Sequence, residues 1–150
     1  MTTIQFYHLT ATPLERALPK LLEKCVSGGF VTQVIAGSDD QVEHLNQLLW
    51  TYDPNSFLPH GSAKDGYVSQ QPVLLATQVE AENPASILVV TDGSTPEVDR
   101  FERVLDMFDG SNPQAVEDAR KRWAHYKSAG LSLTYMQQTE QGGWAARSGG

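Results

Sequence analysis

Cysteine is almost missing from this chain. Cys25 stands alone, so no internal disulfide can form, and the chain fits a reducing compartment. Long apolar runs are missing too: none approaches the ~18 residues of a transmembrane helix. The opening Met-Thr-Thr-Ile-Gln-Phe-Tyr lacks the basic start and apolar stretch of a signal peptide. These absences together point to the cytoplasm. Basic charge is scarce, with 11 Lys+Arg against 18 Asp+Glu and a net charge of −7. That balance argues against a general duplex-DNA binder, which needs a broad basic face. Glycine is absent where a nucleotide would need it. The turn Thr10-Ala11-Thr12-Pro13 contains none, and neither Gly-x-Gly-x-x-Gly nor Gly-x-x-x-x-Gly-Lys-Ser/Thr occurs. Without glycine the backbone cannot closely approach a pyrophosphate. No serine sits in a Gly-x-Ser-x-Gly elbow.

What is present fits one α/β domain. At 150 residues, 40% of them hydrophobic, the chain can bury a full core. Ile4 to Leu9 reads as a strand. Pro13 then opens a helix with Leu14, Leu18, Leu21, Leu22 and Cys25 at helical spacing, and Gly28-Gly29 stops it. Phe30 to Ala36 is nearly all apolar or β-branched, as in a strand covered on both faces. Ser38 caps a second helix with Val42, Leu45, Leu48 and Leu49 as its stripe. Trp50 to Gly66 is a proline- and glycine-broken loop. Val73–Thr77 and Ile87–Thr91 read as further strands. A helix is expected over Pro96–Leu105, a short strand at Met107-Phe108, a last helix over Pro113–Ser128, and a final strand over Leu131–Met136. Alternating strands and helices predict a three-layer Rossmann-like sandwich with a mainly parallel central sheet. The domain should span 1–137, with 138–150 a flexible, polar and glycine-rich tail.

Catalytic chemistry is hard to find in this pattern. Asp92, Asp106 and Asp109 fall at strand ends, where acids can hold magnesium. Asp92-Gly93 and Asp109-Gly110 are also ordinary turn dipeptides, which is the reading preferred here. His8, His44, His60 and His125 show no paired ligand spacing, and Cys25 lies on an apolar helical stripe. No metal or cofactor is expected.

Two segments stand out instead. Leu48 to Gly61 places Trp50, Tyr52, Phe57 and Pro59 in an irregular stretch, where aromatics either pin a loop or meet a partner. Ala119 to Lys127 carries Arg120, Lys121, Arg122 and Lys127 with no acid, interleaved with Trp123 and Tyr126. Arg120, Trp123, Ala124 and Lys127 share one helical face, with Arg122 and Tyr126 on a neighbouring one. Positive charge around aromatic rings, in a chain that otherwise repels polyanions, suits a short acidic segment with an apolar anchor.

At these two segments the sequence resembles the chi subunit of bacterial DNA polymerase III. The resemblance rests on Phe6-Tyr7-His8-Leu9, on Leu49-Trp50 followed by Ser56-Phe57-Leu58-Pro59-His60, on Pro72-Val73, and on Ala119-Arg120-x-Arg122-Trp123-x-x-Tyr126-Lys127-x-Ala129-Gly130. It covers nearly the whole chain. It implies a non-catalytic accessory subunit without a cofactor, on a Rossmann-like fold that has lost nucleotide binding. It implies three partners: the acidic C-terminal tail of single-stranded DNA-binding protein, the psi subunit of the clamp loader, and a repair helicase. By the resemblance, Arg120, Trp123, Lys127 and Arg122 take the tail, with Arg120 on its terminal carboxylate. Trp50, Phe57, Pro59 and His60 face psi or the helicase. Trp123 replaces a tyrosine and Ala124 a lysine of some members. Two rival readings remain: a divalent-metal-dependent nucleotide-processing enzyme using Asp92 and Asp109, and a direct single-strand binder stacking bases on Trp123 and Tyr126.

Overall fold

Strands β2 (Thr32–Ile35), β4 (Val73–Ala76) and β5 (Ile87–Val90) are buried at every residue; β4 and β5 are unbroken apolar runs, while β2 also buries Thr32 and Gln33, the latter's amide paired with the Glu80 backbone. They form the middle of one sheet in a computed structural model that describes residues 2–53 and 58–147. The remaining strands are β1 (Thr3–Leu9), β3 (Gly61–Ser62), β6 (Arg103–Asp109), β7 (Ser132–Gln138) and β8 (Trp144–Arg147). The sheet order is β3-β4-β2-β5-β6-β1-β7-β8. Every pairing is parallel except β7 with β8.

Among the described residues, three α-helices cover the sheet. Helices α1 (Leu14–Ser27) and α2 (Asp39–Thr51) pack on one face, and α3 (Pro113–Ser128) packs on the other. The α1 stripe buries Leu18, Leu21, Leu22 and Cys25. Burial raises the Cys25 thiol above its usual range, as suits a structural thiol. In α2 the Ser38 hydroxyl accepts a hydrogen bond from the Gln41 amide at 3.1 Å. Alternation along β1 sends Tyr7 and Leu9 to the α1/α2 side and Ile4 and Phe6 to the α3 side. The result is the three-layer α/β sandwich expected from the element order.

Two expectations are corrected. Residues 96–105 do not form a helix. The chain turns irregularly there, anchored by buried Val98 and Phe101, and β6 begins at Arg103. In β6, Leu105 and Met107 face one core, while Val104, Asp106 and Phe108 face the other. The alternation is strict, but an acid occupies one inward position. That acid disguises a seven-residue strand flanked on both sides.

The second correction concerns the end of the chain. Residues 144–147 are not a loose tail but strand β8, antiparallel to β7. Trp144 meets the Tyr7 ring edge-on at 4.8 Å. Gln138 ties this hairpin to the β1–α1 turn. Its buried amide oxygen accepts from the backbone amides of Thr10 (3.2 Å), Ala11 (2.9 Å) and Thr12 (2.9 Å). Its amide nitrogen donates to the Thr12 hydroxyl at 2.7 Å. Gln138→Ala removes one acceptor shared by three donors and should cost about 1–3 kcal/mol in urea denaturation. Faster hydrogen exchange at Thr12 should accompany that loss. Unchanged stability and unchanged exchange would show that the tie carries no weight.

Candidate functional site

Helix α3 begins where Asn112 caps it, its side-chain oxygen accepting from Gln114 (3.0 Å) and Ala115 (3.3 Å), with Pro113 in the first turn. The helix ends before Gly130, whose φ of +81° suits the left-handed turn that closes it. Its buried positions are Ala119, Arg122 and Tyr126. One member of this inward stripe is therefore an arginine. The helix accommodates it because Asp106 stands opposite. Arg122 Nε donates to Asp106 Oδ2 at 2.7 Å and Nη2 to Oδ1 at 2.9 Å, a two-pronged fork. Arg122 is 6% exposed and Asp106 1%. Burial pushes the Asp106 carboxyl upward, against the opposing pull of Arg122. Burial and the nearby Asp106 carboxylate push the Tyr126 phenol up to about 12.

This corrects the assignment of Arg122. It is not a surface charge available to a ligand. The fork instead fixes the rotation of α3, and so decides what the helix shows outward. Arg120, Lys121 and Lys127 are exposed. Arg120 holds only a loose contact with Glu117, 3.8 Å away and open to solvent. Trp123 is half-buried. Its ring meets Phe6 at 5.4 Å and Tyr135 at 6.4 Å, both edge-on. One side of the indole is thereby braced against β1 and β7.

The structure also collects residues that spacing in sequence does not connect. His8 stacks on Phe108 at 4.8 Å, and its Nδ1 is hydrogen-bonded to the Tyr135 hydroxyl. Burial lowers the His8 pKa, and the positive charge of Arg120 lowers it further. His8, Tyr135, Trp123 and Arg120 thus come from β1, β7 and α3 to one neighbourhood. Tyr135 carries no motif. His8 stands within Phe6-Tyr7-His8-Leu9, but nothing in sequence ties it to α3.

The second aromatic segment lies at the other end of the sheet. Trp50, near the end of α2, is 56% exposed and its ring packs at a tilt against His60 at 4.6 Å. His60 itself is buried. Its Nδ1 faces the Leu58 carbonyl at 2.7 Å and its Nε2 the Asn46 carbonyl at 3.1 Å. It supports Trp50 and pins the loop rather than presenting its ring outward, which corrects its placement on the surface. Pro59 is half-buried, and Phe57 lies outside the described residues. Tyr67, 76% exposed at a φ of +54°, was not singled out in sequence.

A cavity of about 570 Å³ opens at the ends of β1, β5 and β6, where α/β folds commonly bind ligands. Glu15, Asp92, Asp109, Asp118 and Arg122 line it. The amides that would meet a phosphate are engaged by Gln138. Asp92 and Asp109 fold into their own turns, accepting from Ser94 (3.1 and 2.6 Å) and Ser111 (2.8 and 2.6 Å). The Ser111 bonds hold Asp109 below the usual carboxylate range. Among the described residues, no three His, Cys, Asp or Glu side chains gather as cation ligands.

Residues 1–134 match the family described as DNA polymerase III chi subunit, HolC. The chain belongs to the DNA polymerase III chi subunit family. A relative, the probable DNA polymerase III subunit chi of Rickettsia prowazekii (strain Madrid E), is 33% identical over 90 residues. That match takes in 60% of this chain and 54% of the relative, so it spans about half the length of that curated relative. Chi subunits are replication accessory subunits of DNA polymerase III.

The buried fork sets a clear expectation for this family member. Asp106→Asn leaves the Arg122 charge uncompensated inside the fold and should cost about 3–5 kcal/mol in chemical denaturation. Replacing both partners, Asp106→Leu with Arg122→Met, should recover most of that loss. A small effect of the single change would show that solvent reaches the pair.

Proposed function

We propose that this chain is a non-catalytic bridge in the replisome. The exposed face of α3 binds the acidic C-terminal tail of single-stranded DNA-binding protein. The Trp50 face meets psi of the clamp loader, or a repair helicase. In this reading the chain acts in the cytoplasm and touches nucleic acid only through its partners. The observation that carries it is the placement of Arg120. Its guanidinium stands exposed on a helix locked from behind by the Asp106–Arg122 fork, one turn from the half-buried Trp123. A guanidinium fork matches a terminal carboxylate. An indole with one side braced gives the tail's phenylalanine a flat apolar wall. Lys127, and Lys121 beside it, attract the tail's aspartates with screened, modest energy. On the other face Trp50, supported by His60 and flanked by Pro59, supplies an aromatic anchor. The non-catalytic part is supported by the amides of the β1–α1 turn, which Gln138 already occupies.

Calorimetric titration of an acidic tail peptide ending in phenylalanine tests the first face. Arg120→Ala should lose roughly ten- to a hundred-fold in affinity, the cost of one charge-assisted bond. Lys121→Ala should lose far less. Equal losses would mean diffuse attraction to a basic patch, without a carboxylate site. For the second face, Trp50→Ala should abolish capture of psi or helicase while leaving peptide affinity unchanged. Retained capture would remove Trp50 from that interface.

A further inference from the structure

We infer that His8 and Tyr135 extend the α3 recognition face and make it proton-linked, so that an acidic peptide seated at Arg120 brings a proton onto His8. The inference rests on the peptide-binding reading above.

The geometry comes from three elements. His8 lies on β1 directly opposite Phe108 of β6, and its ring stacks there at 4.8 Å. Tyr135 of β7 approaches from the other side at 5.8 Å, edge-on, with its hydroxyl on His8 Nδ1. Trp123 covers Tyr135 from α3. His8, Trp123 and Tyr135 are each half-buried, so each also meets solvent.

The charged groups that face His8 among the described residues come from three elements. On α3 they are Arg120 and its neighbour Glu117. On β6, Asp109 is turned to Ser111 and Asp106 to Arg122. On β7 the titratable neighbour is Tyr135, and the residue in register with His8 is the uncharged Gln137. Burial and Arg120 therefore oppose protonation of His8, and the exposed Glu117 carboxylate lies 3.8 Å from Arg120. A carboxylate brought by a ligand changes that balance twice. It offsets the Arg120 charge, and it adds attraction to an imidazolium beside it. The hydroxyl follows. An imidazolium donates from both nitrogens, so Tyr135 must accept from Nδ1, and its own proton turns outward, where it can donate to the ligand. The sign is fixed by linkage: a ligand that favours protonation binds more tightly as pH falls through the histidine range.

The test is calorimetry with an acidic peptide carrying a free C-terminal phenylalanine, at about pH 5.5 and about pH 7.5. Each titration is repeated in buffers of different ionisation enthalpy, which reports proton uptake. Binding should take up a fraction of a proton and be roughly two- to five-fold tighter at the lower pH. His8→Gln should bind without uptake and without that pH dependence, whereas His125→Gln should keep both. Amidating the peptide's C-terminus should abolish the uptake. In wild-type chain, NMR titration of the His8 ring should show its pKa rising when peptide is added, a readout independent of whether a variant folds. Binding without proton uptake, uptake that persists in His8→Gln, or an unmoved His8 titration would each overturn the inference and leave the peptide site standing. No binding at either pH would overturn the peptide-binding reading, and this inference with it.

Discussion

The fork between Asp106 and Arg122 is the constraint on which the rest of the α3 layer depends. Both charges lie between sheet and helix, where an unpaired ion would cost several kcal/mol. The geometry is therefore demanding: Nε and Nη2 must face the two carboxylate oxygens, and only one rotation of α3 achieves this. With that rotation set, Ala119 and Tyr126 turn inward, Trp123 reaches the rim against Phe6 and Tyr135, and Arg120 and Lys127 are left outside. A well-packed apolar pair could stabilise the layer as much. What a two-pronged ionic fork adds is a single register, which the proposed recognition face would need.

A second constraint acts at the ends of the same strands, across the cavity that Arg122 also lines. In a doubly wound sheet the first turn after β1 commonly meets a ligand's phosphate. Here three successive amides of that turn converge on an oxygen supplied by Gln138, far along the chain on β7. The amide oxygen occupies the position an anion would take, without its charge. It also joins the last hairpin to the first loop, so that Trp144 closes over Tyr7. The carboxylates lining the neighbouring cavity reinforce the effect, since they repel a phosphate. The sequence hinted at this only through a missing glycine; the group that fills the turn lies 126 residues away.

What could be read in sequence was what repeats locally. Apolar runs gave β2, β4 and β5, helical stripes and caps gave α1, α2 and α3, and their alternation gave the layered sheet. What could not be read was what depends on a distant partner. Asp106 looks like a strand-end acid until Arg122 is placed over it. Arg122 looks like one more basic residue on a charged helix until Asp106 is placed under it. Each hides the other, and together they hid β6. The same holds for His60, whose aromatic company suggested an interface but whose two nitrogens face backbone carbonyls within the fold. Tyr135 and His8 stand 127 residues apart, so no spacing rule could join them.

The two aromatic faces stand far apart on the sheet. Helix α2 packs on β3 and β4, and α3 packs on β6 and β7 from the opposite side. Four strand intervals separate β3 from β6, roughly 19 Å along the sheet, with the sheet's thickness added. Among the described residues, the strands between the faces are the sheet's most buried. On the proposed reading, such a body would hold two partners without letting them compete, and would transmit load rather than signal. Were both faces occupied as proposed, sites this far apart would act additively, and occupancy of one would leave affinity at the other unchanged. A tether requires that behaviour. An allosteric relay would require an element with two packings between the faces, and this sheet interior, filled by Leu, Ile and Val, supplies none among the described residues.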